Sequence, residues 1–320
     1  MNFCTHFDSN YLPHALSLAE SLNTYLNDFN LYMMCMDDES FSFLDSNPIK
    51  NTVPIHYSKM ENYFPELLVA KQNRNRVEYF FTCSPAVCNY IIKNNLSLKS
   101  ITYLDSDLYF FSSPKIIFDE IKNKSISIIE HRFNWITKRQ IKYGKFNVGW
   151  ITFKNDNEGL KCISDWMSDC LNWCYQKVEE DRFGDQKYLD KWPKKYKNIH
   201  IIKCNGANVA IWNIGNYKFS KKDDQIMIDN EKLIFYHYAS FSQIDMRCFK
   251  TNLSRVFVRL NSIIKNDIYL HYAKKLLKNN VLNKTIESKK DNHIKGGFKI
   301  IVINFFRYFN SLIFEDRICV

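Results

Sequence analysis

A mostly parallel α/β sheet is the fold class that this chain predicts, on three observations. Short apolar runs alternate with helix-period segments from the N-terminus to about residue 250. Several runs end in polar groups, namely Asp8, Asp37-Asp38, Asp105 and Asp107, with His237 near the last. Ligands of such sheets bind there, outside the carboxyl ends of the strands. Finally, 46% apolar and 16% aromatic residues supply a sizeable core, and eight glycines and seven prolines in 320 residues exclude collagen-like or low-complexity character.

Taken in order, FCTHFD predicts a short buried strand. SNYLPHALSLAESLNTYL follows as an amphipathic helix with Leu16, Ala19, Leu22 and Leu26 on one face. NLYMMCMDD is a second strand with an acidic end. Leu67 to Asn95 reads as mostly helical, interrupted near Cys83-Ser84-Pro85, where proline opens a new helix. Ile101 to Leu104 is a strand ending at an aspartate pair. SISIIEH and FNVGWITF are strands, GLKCISDWMSDCLNWCYQKVEE is a strongly patterned helix, and NIHIIKC and LIFYHYA are late strands. No internal repeat is present.

After about Thr251 the alternation stops, which divides the chain into an α/β domain over 1–250 and a basic helical region over 251–320. SRVFVRLNSIIKNDIYLHYAKKLLKNN reads as helical and LNKTIESKKDNHIKGG as a polar linker. In FKIIVINFFRYFNSLIF, Lys299, Asn304, Arg307, Asn310 and Ser311 gather on one side of a helix. Ile301, Val302, Phe305, Phe306 and Leu312 lie on the other. Spanning a bilayer takes about 20 largely apolar residues. This shorter, interrupted stretch fits a helix lying in the membrane interface, or one packed on the core or a partner subunit.

Charge supports the tail's separate character. From Arg247 onward there are 15 Lys/Arg against 5 Asp/Glu, so the whole net charge of +10 resides there. Lysines upstream of an amphipathic helix draw it to anionic lipid. A neutral first 246 residues with acidic strand ends disfavours tracking of nucleic-acid phosphates, although a basic-armed nucleic-acid-binding or scaffold protein is the rival class. The ten cysteines have no paired CxxC spacing, and MNFCTHFDSN has no signal-peptide pattern. Free, buried cytosolic thiols are expected rather than bridges or a zinc site. The expected location is cytoplasmic, peripheral at the inner face of the cell membrane.

The stretch ITYLDSDLYFF carries the chemistry. Asp105-Ser106-Asp107 leaves a strand with two carboxylates one residue apart, able to face one hard cation such as Mn²⁺ or Mg²⁺. An ion there neutralises charge on a departing phosphate. Alone the triplet is also an ordinary strand-end turn. Together with FDSNY at 7–11, FNVGW at 146–150, FGDQKYLDKW at 183–192 and FYHYASF at 235–241, TYLDSDLYFF resembles the nucleotide-sugar glycosyltransferases of the GT-A fold. The likeness is strongest to bacterial retaining galactosyl- and glucosyltransferases of family 8. The order of motifs is the family order over about 1–241.

The resemblance implies a Rossmann-like central sheet flanked by helices and a metal-dependent hexose transfer from a UDP-sugar to a glycan or glycolipid acceptor. It implies Asp105, Asp107 and His237 as metal ligands, although His237 is alternatively a core histidine among Phe235, Tyr236 and Tyr238. Thr5, Asp8, Tyr11, Asp105 and Asn147 are implied at the donor, with Asp8 alternatively a helix cap and Asn147 a turn residue before Gly149. Asp185 and Gln186 are implied beside the reacting carbon, or Asp185 as a helix cap. In KQNRNRVEYFFTCSP, Lys71, Arg74 and Arg76 offer cations for phosphate, Arg74 foremost, or Arg74 is a surface cation near Glu78. The loop from Asn205 to Asn213 is a candidate acceptor wall. The family's glycine and Lys-Pro-Trp run after the histidine are absent from HYASFSQ, which leaves no lysine assigned to the diphosphate. The Asp185-Gln186 pair resembles the retaining arrangement; inversion follows if Asp185 instead reaches the acceptor hydroxyl.

Overall fold

Strands buried on both faces read as continuous apolar runs, and β1 (Asn2–Phe7) is of that kind, with Phe3 through Phe7 all buried. The computed structural model describes residues 1–284 and 316–320. After β1 come helix α1 (Leu12–Tyr25), β2 (Asn30–Cys35), α2 (Asp38–Ser46), β3 (Thr52–His56) and helices α3 (Tyr57–Tyr63), α4 (Glu66–Asn73) and α5 (Arg76–Asn94). The chain continues through β4 (Ser100–Leu104), β5 (Leu108–Phe110), α6 (Lys115–Ile121), β6 (Ile126–Glu130), β7 (Phe146–Lys154) and α7 (Asn157–Asn172). Then follow α8 (Trp192–Lys195), β8 (Ile199–Ile202), β9 (Val209–Ala210), a β10–β12 meander between Phe219 and Lys232, and β13 (Phe235–His237). Last come β14 (Ser242–Asp245), β15 (Cys248–Lys250), α9 (His271–Lys278) and β16 (Arg317–Cys319).

The main sheet has seven strands in the order β3-β2-β1-β4-β7-β6-β8, with β7 antiparallel to both its neighbours and the other pairings parallel. The mostly parallel α/β prediction therefore holds. Alternation across the sheet builds two cores. Cys4, Tyr103 and Ile151 face one, with Val87 and Ile91 of α5 and Trp166 of α7. Phe3, Phe7, Leu104 and Trp150 face the other, with Leu18 and Leu22 of α1.

Two helix boundaries differ from expectation. The break before α5 falls at Arg74-Asn75, and Pro85 lies inside the helix. Asn75 accepts from Glu78 N at 3.0 Å while the Glu78 carboxylate accepts from Asn75 N at 3.1 Å. That reciprocal cap settles the start, and packing on both sides carries the helix through the one bond that Pro85 cannot make. Helix α7 ends at Asn172 instead of continuing to Glu180: the Leu171 carbonyl accepts from Arg74 and the Trp173 carbonyl from the Tyr188 hydroxyl.

Beyond residue 250 the basic run is helical only in part, as a 3-10 turn at Leu253–Val256 and a π-helical stretch, Ile263–Leu270, that runs into α9. These lie on the same core as Tyr236, Tyr238, Phe241 and Phe249. The predicted linker and terminal amphipathic helix lie outside the described residues. No helix among the described residues is long and apolar enough to cross a membrane.

The expectation of free thiols fails at one pair. Strand β16 returns antiparallel to β15 and sets Cys319 opposite Cys248, and the two form a disulfide across 71 residues of sequence. Spacing along the chain does not reveal such a pairing. The other eight cysteines are free, seven of them buried. A bridge over so long a loop restricts the unfolded chain, so Cys319→Ser should lower stability by about 2–4 kcal/mol. Urea unfolding with and without dithiothreitol checks this: reductant should shift the midpoint of the wild type and leave that of the variant in place.

Candidate active site

The site begins with a change of sheet. Strand β4 ends at Leu104, Asp105 to Asp107 make the turn, and β5 leaves the main sheet to pair antiparallel with β13. That register sets His237 opposite Leu108, and Tyr238 N donates to Asp107 O at 3.0 Å. His237 is thereby delivered to the aspartate turn, its Nε2 3.1 Å from Asp107 Oδ1 and 3.5 Å from Asp105 Oδ2. One ligand atom from each of the three residues lies within 4.8 Å of the others. The Tyr103 hydroxyl donates to Asp105 Oδ1 at 3.1 Å, which leaves Oδ2 toward the histidine. Two carboxylates this close repel one another unless a cation joins them. Two oxygens and an imidazole nitrogen suit Mn²⁺, and Mg²⁺ through the oxygens.

A bulge in β7 brings the next residues in. Pairing with β6 jumps from Ile128↔Ile151 to Ile129↔Asn147, so Val148 to Trp150 leave that ladder. Asn147 Oδ1 then accepts from Gly149 N at 3.0 Å and lies 3.2 Å from His237 Nδ1. Gly149 is required: a Cβ there would sit 2.5 Å from Asn147 Oδ1 and 2.8 Å from His237 Nδ1. Asn147 Nδ2 donates to Gln186 Oε1 at 3.2 Å, and Gln186 Nε2 donates to the Tyr143 carbonyl at 3.1 Å.

Around the first loop, Asp8 Oδ1 accepts from the backbone N of Asn10 and Tyr11, while Oδ2 pairs with the guanidinium of Arg76. Burial pushes its carboxyl above the usual range, against the pull of Arg76. The side chain makes this turn and does not cap α1, whose cap position is Tyr11. Tyr11 stacks on His14, and Thr5 is buried within β1. Asp37 caps α2 through Ser40 N and also takes both the N–H and the hydroxyl of Ser9, tying this loop to β2.

The structure thus gathers Asp105, Asp107, His237, Asn147 and Gln186 into one connected cluster. Asp185 is turned inward, where the Ser84 hydroxyl donates to its Oδ2 at 2.7 Å. Arg74 stands apart: its guanidinium is buried, donating to Thr82 Oγ1 and the Leu171 carbonyl beneath Tyr175. Its neighbour Arg76 is the cation that faces Asp8. Lys71 pairs with Glu61. His131, at the end of β6, is a further strand-end residue at the site, to which no motif points. Trp212, on the loop offered above as an acceptor wall, meets both His131 and His237 edge-on at 4.9 and 5.0 Å.

No family model matches the chain. Two proteins of Bacillus subtilis (strain 168), YfnD and YfnF, both described as uncharacterized, are 33% and 32% identical to it over 249 residues. The matches cover 76% and 75% of this chain and 78% and 81% of those proteins. Among solved structures, the galactosyltransferase LgtC in complex with donor and acceptor sugar analogs aligns with a TM-score of 0.50 at 15% identity, over 74% of this chain and 87% of its own. At that identity the likeness speaks for the fold, which is the GT-A arrangement expected from the motifs.

Two buried histidines give the fold a pH dependence. Burial lowers His14 from 6.5 to about 4, against the nearby Asp107, and lowers His131 to about 3. Both stay neutral in the fold but take a proton when unfolded below about 6.5. Their contribution is therefore complete above that pH and is lost as pH falls toward 4. At pH 5 each should remove about 2 kcal/mol, with Asp8 opposing because its raised carboxyl favours the fold on acidification. Urea midpoints of the metal-free protein should fall between pH 7.5 and pH 5, and His14→Gln should flatten the slope.

Proposed function

Since the chain belongs to the family of YfnD and YfnF and has the GT-A fold, we propose that it is a metal-dependent glycosyltransferase. It moves a hexose of galactose or glucose type from a UDP-sugar to a glycan acceptor. The Asp105–Asp107–His237 cluster, at the end of a central strand of that fold, carries this reading. A Mn²⁺ or Mg²⁺ ion bound there supplies positive charge to the departing diphosphate. Asp8, Ser9 and Tyr11 hold the nucleoside end, with Arg76 poised at the edge, and Asn147 meets a sugar hydroxyl.

Transfer is retaining in this account. The bond from the anomeric carbon to the phosphate oxygen breaks, the acceptor oxygen bonds to the same face, and its proton passes to that departing oxygen. Gln186, its amide oriented by Asn147 and Tyr143, stands by the oxocarbenium-like carbon. The inward turn of Asp185 onto Ser84 supports this over inversion, because an inverting base must face the acceptor hydroxyl.

The acceptor is a lipid-linked glycan of lipopolysaccharide, O-antigen or capsule type, met at the inner face of the cell membrane. The basic tail supports an anionic membrane surface. So does the loop from His131 to Asn147, two residues of the site: it carries exposed Lys138, Arg139, Lys142 and Lys145 and no carboxylate. At its tip Trp135 is 85% exposed, on a turn fastened by Asn134 Oδ1 accepting from Ile136 N and Thr137 N. An aromatic face so presented suits the apolar face of a sugar ring.

Hydrolysis and transfer from a panel of nucleotide sugars, with and without Mn²⁺, test the proposal. Asp105→Asn with Asp107→Asn should cut kcat/KM by ~100-fold or more; undiminished turnover in that variant would sink the metal reading. Trp135→Ala should weaken transfer to acceptor while donor hydrolysis stays at the wild-type rate, and equal loss of both would contradict the acceptor assignment.

A further inference from the structure

We propose that His131 is a positioning residue that sets the tautomer of His237 through Asn147, leaving the Nε2 lone pair of His237 free for a cation. This rests on the metal-site reading above and adds a residue to which neither motif nor likeness assigns a role.

His131 has little freedom. Its ring stacks on Phe133 with centroids 4.6 Å apart and planes 10° apart, and Trp212 closes against it edge-on. Each ring nitrogen has a partner. Nδ1 lies 3.1 Å from the Lys145 carbonyl oxygen and Nε2 lies 3.3 Å from Asn147 Nδ2. A carbonyl oxygen can only accept, so Nδ1 carries the hydrogen. Burial keeps the ring neutral, its pKa lowered to about 3, so Nε2 is a bare acceptor.

That choice propagates. An acceptor at Nε2 demands that the Asn147 amide turn its NH2 group toward His131, and the other hydrogen of that group goes to Gln186 Oε1 at 3.2 Å. Asn147 Oδ1 then faces the opposite way, where Gly149 N donates to it at 3.0 Å and His237 Nδ1 lies at 3.2 Å. Since Oδ1 can only accept, His237 must donate from Nδ1. A ring that keeps its hydrogen on Nδ1 can lend the Nε2 lone pair to a cation, and Nε2 is the atom turned to Asp105 and Asp107. Without the relay, a hydrogen on Nε2 bonded to the Asp107 carboxylate would occupy the place of the ion. A ligand imidazole held in one tautomer by its other nitrogen is how such partners tune metal affinity.

The test begins on the metal-free, isotope-labelled full chain. Long-range ¹H–¹⁵N correlation at pH 7.5 should show His237 protonated at Nδ1; a bare Nδ1 with the hydrogen on Nε2 alone overturns the proposal whether or not the chain binds Mn²⁺. His131→Phe keeps the ring stack but removes the acceptor, and His131→Gln restores an acceptor oxygen. Calorimetric titration with Mn²⁺ alone should show affinity about 10- to 100-fold weaker for the phenylalanine variant, with recovery toward wild type for the glutamine variant. A folded His131→Phe protein with wild-type Mn²⁺ affinity and an unchanged His237 tautomer also contradicts it. If that variant does not fold, the wild-type spectrum decides. Loss of Mn²⁺ binding in every form, with the expected tautomer present, would refute the metal reading and leave the relay intact.

Discussion

The antiparallel pairing of β5 with β13 is the constraint on which the rest of this structure depends. It sets His237 across from Leu108 and lets the Tyr238 amide donate to the Asp107 carbonyl, so a distant strand end meets the aspartate turn. Side chains along a strand alternate faces, so a slip of one residue would send His237 into the aromatic core and bring a tyrosine to the carboxylates. Gly149 then permits the close approach of Asn147, and Asn147 joins His237 to Gln186 on one side and His131 on the other.

What holds that register is the region beyond residue 250. Tyr236 and Tyr238, either side of His237, are buried against Tyr269 and Tyr272: the Tyr236 and Tyr269 hydroxyls are 2.6 Å apart, and the Tyr238 and Tyr272 rings stack at 3.6 Å. Helix α9 is in turn fastened to α1, with the Tyr272 hydroxyl 2.7 Å from His14 Nδ1 and Lys275 paired to Glu20 at 2.6 Å. The π-helical stretch before α9 brings both tyrosines onto this core. The part of the chain that reads as a separate basic appendage thus supplies a foundation of the site.

Much of the fold was legible because strand and helix periods are local properties. Each strand of the main sheet except β3 was readable from its apolar run. TVPIH gives little signal, since its middle residue is proline and only Ile55 is buried. The Asp105–Asp107 pair was legible as a candidate cation site from two carboxylates at a strand end, and His237 as its partner through the likeness to family-8 enzymes. Less legible were features made by tertiary approach. The Cys248–Cys319 bridge depends on a returning strand, Arg74 turned inward because Thr82 and the end of α7 offered it acceptors, and His131 gained its importance from Asn147 across a bulge. Nothing in the local sequence of SISIIEH distinguishes its final histidine from a strand-end residue without a role.

Pulsed electron paramagnetic resonance of the protein loaded with one equivalent of Mn²⁺ reads the Asp105–Asp107–His237 ligand set directly. Modulation from a single imidazole nitrogen is expected, and it should disappear in His237→Ala while the ion remains bound, more weakly, to the two aspartates. An ion that shows no imidazole coupling, or whose coupling survives the loss of His237, would contradict that ligand set.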